Sequence, residues 1–230
     1  MEAPLATDQF IHALAAQHRV VLIGGMAIIS HGLSRRTKDV DIWLDPMNSS
    51  AEWADRLLRV AAAFPAARFW SLACRRDLQP DELAGEIADF GVIRITGFDR
   101  DIDVFRRPNE LGEESFDEVW TRAVRVLEGG VRLPDPLDLH ISKADTGREH
   151  DLKDQLFLES LVKTRFRERL PVCDLTEATG MLDRFLDPEV LQYARTNPHP
   201  EVRALARKYL HEFEAEGDPY SRDILAAWKE

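Results

Sequence analysis

Residues 19–45 constrain the fold more than any other part of the chain. They run from an apolar, β-branched stretch through a Gly-Gly pair and a short helical pattern to a second stretch that reads VDIWLD. Side chains alternate between the two faces of a strand, so Asp39 and Asp41 share one face while Val40 and Ile42 share the other. The sequence therefore predicts strand, glycine turn, helix and strand in succession, with two carboxylates side by side.

The paired carboxylates indicate a cation site. Two adjacent carboxylates repel each other unless a proton or a cation neutralises them. Hard divalent ions such as Mg²⁺ prefer oxygen ligands, and they bind through one or two carboxylates together with substrate phosphates. Gly24 and Gly25 let backbone amides approach phosphate oxygens, and a helix N-terminus just beyond them favours negative charge. The pattern predicts a metal-dependent phosphoryl- or nucleotidyl-transfer site.

A second pair of alternating carboxylates follows at Asp101 and Asp103. If their strand lies beside VDIWLD, a third carboxylate reaches the face of the first pair. Asp103, with apolar residues on both sides, suits this role better than Asp101 at the strand mouth, and three carboxylates can hold two Mg²⁺ ions. The alternative for Asp103 is a structural salt bridge to Arg100 or Arg106.

The chain divides near Pro134 into two parts. Alternation predicts strands in residues 19–25, 40–45, 67–72, 90–97 and 101–107, and a hairpin around Gly129 and Gly130. Helical spacing predicts helices in residues 7–18, 26–33, 52–64, 115–123, 137–144, 152–161, 177–185, 188–195, 200–213 and 222–228. We therefore expect an α/β domain over residues 1–134 and an all-helical region over residues 135–230.

Composition limits the classes of partner. No apolar run reaches the length of a bilayer span, and the first residues form neither a basic nor a long apolar segment, so we expect a cytoplasmic protein with no membrane partner. Broad DNA binding relies on many Lys and Arg contacts to phosphate, which a net charge of −11 disfavours. Docking of one RNA end stays open. Cys74 and Cys173 lack metal-ligand spacing and are expected to be two buried thiols.

Two residues before the first carboxylate pair have competing interpretations. Arg35 either clamps phosphate with two parallel hydrogen bonds or pairs structurally with Asp39 or Asp45. Thr37 either belongs to the nucleotide site or only shapes the start of the strand. The sequence alone does not decide between these roles.

In combination these motifs resemble the nucleotidyltransferase fold of the DNA polymerase β superfamily, in particular its minimal bacterial branch with AbiEii-type toxin transferases and MNT-type antitoxins. That family has a Gly-Gly or Gly-Ser turn, a helix, two metal-binding Asp residues on one strand and a third Asp on a neighbouring strand. By this resemblance the roles fall on Gly24, Gly25, Asp39, Asp41 and Asp103. The AbiEii-like run Arg-x-Ser/Thr-x-Asp-x-Asp is matched by Arg35 and Thr37.

The resemblance covers about the first two-thirds of the chain. AbiEii-like members often carry a helical Lys, followed by an Arg and a Lys-Asp pair. The run LHISKADTGREHDLKD supplies the candidates Lys143, Arg148, Asp151, Lys153 and Asp154. Lys143 would place a point charge against the nucleotide phosphates. One departure is Gly25, which replaces the Ser of many transferases and removes a hydroxyl contact to phosphate.

The resemblance implies a polymerase-β-like α+β fold, a mixed sheet flanked by helices, with a helical C-terminal region. It implies an ATP- or NTP-binding enzyme that uses two Mg²⁺ ions to transfer a nucleoside monophosphate to an acceptor hydroxyl and release pyrophosphate. The acceptor is an RNA 3′ end, a protein hydroxyl or a small molecule such as an aminoglycoside, and a cognate toxin or antitoxin is the implied protein partner. The alternative is a non-catalytic, nucleotide-sensing or partner-binding antitoxin-like module on the same fold. A third interpretation is a Mg²⁺-dependent phosphate-binding domain of another fold. In that fold the strands that carry Asp39 and Asp103 would not be adjacent.

Overall fold

The computed structural model describes residues 6–109, 111–143 and 149–228. Over these ranges the protein is α+β, with eleven α-helices and a mixed eight-stranded sheet. The expected α+β class with a mixed sheet is therefore confirmed. The chain forms two compact units, Met1–Leu156 and Phe157–Glu230. No helix within the described ranges is both long and apolar enough to cross a membrane.

The first unit contains every described strand. The strands are β1 (Val20–Ile23), β2 (Asp39–Leu44), β3 (Arg68–Ser71), β4 (Arg76–Leu78), β5 (Val92–Thr96), β6 (Asp101–Phe105), β7 (Arg125–Val126) and β8 (Arg132–Leu133). Its helices are α1 (Ala6–Ala15), α2 (Gly24–Ser30), α3 (Ser50–Ala61), α4 (Leu83–Phe90), α5 (Phe116–Arg122), α6 (Pro136–Ser142) and the start of α7 (Glu149–Arg169). Each predicted strand is present, whereas β4 and α4 were not predicted.

The second unit is helical. It contains the rest of α7, α8 (Leu175–Leu182), α9 (Pro188–Leu191), α10 (Pro200–Ala215) and α11 (Pro219–Ala227). Asp174, Asp187 and Asp218 cap α8, α9 and α11 by accepting hydrogen bonds from backbone amides of the first turn. The strands end at Leu133, where the helical region was predicted to begin, but α6 and the start of α7 belong to the first compact unit.

The sheet places the two acidic strands at its centre. Its order is β4-β3-β5-β6-β2-β1-β8-β7. β2 pairs in parallel with β6 and antiparallel with β1, and β5 and β6 form the expected antiparallel hairpin. On one face Val40, Ile42, Ile102 and Val104 are buried in the core. The Asp residues that alternate with them must therefore share the opposite face.

The two cysteines are unpaired, and one of them differs from expectation. Cys173 is buried, as predicted, but Cys74 is exposed. Cys74 lies in the turn between β3 and β4, and β4 is the edge strand of the sheet. The expectation of two buried thiols is wrong for Cys74 because this edge hairpin was not recognised in the sequence.

Candidate functional site

Four carboxylates face one another across the pairing of β2 and β6. The parallel register sets Asp39 opposite Asp101 and Asp41 opposite Asp103. The Asp103 side chain is 8% exposed, whereas that of Asp101 is 43% exposed. The structure thus brings together the three predicted site carboxylates, with Asp103 more enclosed than Asp101, as the flanking apolar residues suggested.

The Gly-Gly turn packs directly against the carboxylates. Gly24 has a φ of +60°, and a Cβ there would lie 1.9 Å from Oδ2 of Asp41. The Gly25 amide donates a hydrogen bond to Asp41, and a Cβ on Gly25 would lie 2.6 Å from Nη2 of Arg35. Glycine is required at position 24 by the close approach of Asp41 and by the left-handed backbone conformation, whereas at position 25 a side chain would need Arg35 to move.

Replacing Gly24 with alanine is expected to disrupt the site. The methyl group would collide with the Asp41 carboxylate and push it away from Asp103. Gly32→Ala is the matched control, because Gly32 also has a positive φ, of +113°, but its Cβ would meet nothing within 4 Å. We expect Gly24→Ala to lose at least about tenfold in divalent-cation affinity, and Gly32→Ala to lose stability only. Equal cation affinity in the two variants, measured by calorimetry, would contradict this.

Sequence reasoning missed Arg94, which lies on β5 opposite Asp103. Its Nε donates to Asp103 Oδ1 at 2.6 Å, and its Nη2 donates to Oδ2 at 2.8 Å. The structural partner of Asp103 is therefore neither Arg100 nor Arg106. Both of those arginines are held elsewhere, Arg100 by Asp8 and Asp99, and Arg106 by Glu113 and the Pro46 carbonyl. The sequence signal for Arg94 was a charged residue between two isoleucines, Ile93 and Ile95. Strand alternation places its side chain on the acidic face, the sheet face that carries Asp39, Asp41, Asp101 and Asp103.

The acidic face is short of positive charge even with Arg94 present. Burial, together with the neighbouring Asp103 and Asp39, raises the pKa of Asp41 to about 7. Burial also raises the pKa of Asp103, although Arg94 opposes this effect. Hydrogen bonding to Asp103 raises the pKa of Arg94, which stays charged. An additional cation near Asp41 would remove this electrostatic penalty.

Arg35 pairs with a residue that the sequence did not suggest. The expected structural partners were Asp39 and Asp45, but Asp45 accepts from Arg19 at 2.7 Å. Nη1 of Arg35 instead donates to Oδ2 of Asp154, whose side chain is 1% exposed. Arg35 is thereby held beside the glycine turn.

Lys143 shares this buried partner. Its Nζ lies 2.6 Å from Asp151 Oδ1 and 3.2 Å from Asp154 Oδ2. Asp154 therefore connects two cations, Arg35 and Lys143, that come from distant parts of the chain and both line the cleft described below. This arrangement was not predicted, although each residue in it had been singled out.

The remaining candidates have smaller roles in the described geometry. Oγ1 of Thr37 donates to Asp39 Oδ1 at 3.0 Å, so Thr37, which precedes β2, orients a site carboxylate. Lys153 is exposed on α7 and does not line the cleft. Arg148 lies outside the described residues.

These groups open into a cleft of about 1070 Å³, which is large enough for a nucleotide. Its lining includes the glycine turn, three carboxylates and cations of the first unit: Gly24, Gly25, Asp39, Asp41, Asp103, Arg35, Arg94 and Lys143. Arg36 and Lys38, both exposed, also line it. Carboxylates and cations thus line one cleft together, the two kinds of group that a bound cation and a polyphosphate need.

The donor set suits a hard divalent cation. Carboxylate oxygens on adjacent strands are the ligands that Mg²⁺ prefers, and a bound cation would oppose the burial and the carboxylate repulsion that raise the pKa of Asp41. In the part of the chain that the structure describes, no three acidic, His or Cys side chains already converge in a metal-coordinating arrangement. The oxygens of Asp103 point to Arg94 instead.

Comparison with known proteins adds no assignment. No family model matches the chain, and no curated protein matches it.

Proposed function

We propose that this protein is a Mg²⁺-dependent nucleotidyltransferase with a polymerase-β-like catalytic core. The observation that carries the proposal is the register of β2 and β6, which aligns Asp39 with Asp101 and Asp41 with Asp103 beside the Gly24 turn. Paired carboxylates next to a glycine turn and separate cations suit a triphosphate with its metal ions.

The carboxylates are the proposed metal ligands. Asp39, Asp41 and Asp103 would hold two Mg²⁺ ions, and the chemistry these supply is stabilisation of charge on the reacting phosphoryl group. Thr37 would orient Asp39 through the hydrogen bond to its Oδ1. Asp41 would be the central ligand, since it is the carboxylate with the greatest need of a cation.

Two cations that line the cleft would hold the triphosphate. Lys143 supplies a point charge, and Arg35 supplies a planar group with several donors. The absence of side chains at Gly24 and Gly25 lets this turn pack closely against Asp41 and Arg35 at the cleft. The buried Asp154 holds both cations in position before a ligand binds.

In the proposed reaction the acceptor oxygen forms a bond to the α-phosphorus of the NTP. The bond between that phosphorus and the bridging oxygen to the β-phosphate breaks, and pyrophosphate leaves with the bonding electron pair. The acceptor proton passes to a carboxylate of the acidic face.

Label transfer tests this proposal. The protein is incubated with Mg²⁺ and each α-³²P-labelled NTP, with total RNA, cell protein, an aminoglycoside or the protein itself as acceptor. We expect label on one acceptor class with the wild type, and none with the Asp39→Asn/Asp41→Asn variant. The exposed Asp77, which lies on β4 outside the cleft lining, provides the matched control Asp77→Asn.

The outcomes separate the candidate functions. Label with the wild type and Asp77→Asn alone supports nucleotidyl transfer and identifies the acceptor. Label that persists in the double variant overturns the assignment of the carboxylates. No label, with NTP binding intact by calorimetry, favours the non-catalytic nucleotide-sensing module and directs the search to a toxin or antitoxin partner.

A further inference from the structure

Arg94 contacts more of the acidic face than a simple ion pair requires. Besides its two hydrogen bonds to Asp103, its Nη2 lies 3.4 Å from Asp39 Oδ2. Its Nη1 lies 3.6 Å from Asp101 Oδ2. One guanidinium thus faces three carboxylates on two neighbouring strands.

The acidic face depends on this guanidinium for its stability. A carboxylate as buried as Asp103 is costly to ionise without a partner. Arg94 supplies that partner through both carboxylate oxygens, in the bidentate geometry that makes Arg–carboxylate pairs strong. Arg94 therefore offsets the repulsion among Asp39, Asp101 and Asp103 in the folded protein.

The same oxygens are the proposed metal ligands. Arg94 occupies the bidentate position on both oxygens of Asp103, so a cation that takes this position must displace the guanidinium. Two like charges at one carboxylate also repel each other. We infer that Arg94 is a built-in counter-ion of the acidic face, which holds Asp103 and Asp39 in place of a divalent cation and is displaced when that cation binds.

Space and chemistry both allow this displacement. The Arg94 side chain is one-quarter exposed and lines the cleft, so it can move toward solvent without breaking the core. A displaced guanidinium has donors that match phosphate oxygens. Displacing Arg94 lowers the net affinity for a divalent cation. This cost is smaller when the cation binds together with a polyphosphate, because the phosphate oxygens can accept the displaced guanidinium.

Arg106 shows what a structural arginine looks like in the same unit. Its Nε donates to the Pro46 carbonyl at 2.8 Å, its Nη1 pairs with Glu113, and it does not line the cleft. Loss of either arginine should destabilise the fold. Loss of Arg94 alone should also strengthen cation binding, and these opposite effects distinguish a counter-ion from a structural pair.

The inference rests on the proposed function, and cation binding tests it without an activity assay. Arg94→Gln, Arg106→Gln and the wild type are compared by calorimetric titration with Mn²⁺ and with Mg²⁺, and by thermal unfolding without metal. We expect both variants to have a lower Tm. We expect Arg94→Gln to bind the cations about tenfold more tightly than the wild type, and Arg106→Gln to bind them with unchanged affinity.

The outcomes distinguish the inference from the proposed function. If the wild type binds a divalent cation and Arg94→Gln binds it equally or more weakly, the counter-ion role is overturned and the proposed function stands. If neither protein binds one, the proposed function is overturned and the inference with it. Should Arg94→Gln fail to fold, Arg94→Lys decides, because a lysine lacks the planar fork and must hold Asp103 less well. Unchanged or weaker cation affinity in Arg94→Lys overturns the inference.

Discussion

Asp41→Asn is expected to reduce nucleotidyl transfer on the order of a thousandfold while it stabilises the metal-free protein at neutral pH. The loss of activity follows from removing the central proposed metal ligand. The gain in stability follows from the raised pKa of Asp41, because its ionised form is penalised by burial and by the charges of Asp103 and Asp39. A neutral asparagine of the same size avoids that penalty.

The stability difference between Asp41→Asn and the wild type depends on pH. The pKa of Asp41 is about 7 in the folded protein and has an ordinary value of 3.8. Protonated Asp41 makes its full contribution to the free energy of unfolding below pH 3.8. This contribution is lost as the pH rises through about 7. The Tm advantage of Asp41→Asn over the wild type should therefore be larger at about pH 8 than at about pH 5.

Thermal unfolding at these two pH values, with and without Mg²⁺, measures the prediction. Mg²⁺ should raise the Tm of the wild type at the higher pH and have little effect on Asp41→Asn. The exposed Asp77→Asn should behave as the wild type throughout. A wild type and an Asp41→Asn variant with the same Tm at both pH values would show that Asp41 carries no such penalty.

The sequence predicted the centre of this site because its signals are local. Alternation fixes which face Asp39 and Asp41 share, and the Gly24–Gly25 pair marks the turn that packs against them. The adjacency of β2 and β6 was an expectation that the pairing of Asp41 with Asp103 confirms. Period-two patterns carry this information because one face of each strand is buried.

The positions of Arg94 and Asp154 could not be derived in the same way. Arg94 lies opposite Asp103 in only one register of the hairpin. The predicted strands, residues 90–97 and 101–107, do not fix that register to better than one residue. Asp154 meets Arg35 across 119 residues of chain, a separation over which no periodicity operates. Ion pairs of this kind depend on the completed packing rather than on local pattern, and they were the part of the site that sequence reasoning missed.

Asp154→Asn is expected to weaken both the fold and NTP binding. Asp154 is 1% exposed and accepts from both Arg35 and Lys143, so its loss leaves the Arg35 guanidinium without its carboxylate. Removing one partner of a buried pair costs about 3–5 kcal/mol in the free energy of unfolding. Arg35 would then be free to turn toward the acidic face instead of the phosphate position, and we expect NTP affinity to fall at least about tenfold.

Asp151→Asn is the matched control for this prediction. Asp151 contacts Lys143 at 2.6 Å, and its side chain is 13% exposed, so it tests the loss of a Lys143 partner while Arg35 keeps Asp154. Urea unfolding measures stability, and calorimetry with a non-hydrolysable NTP measures affinity. A larger loss of both in Asp154→Asn than in Asp151→Asn would establish that Asp154 positions Arg35 for the nucleotide. A loss of stability with unchanged NTP affinity would make Asp154 a structural residue and would remove Arg35 from the phosphate site.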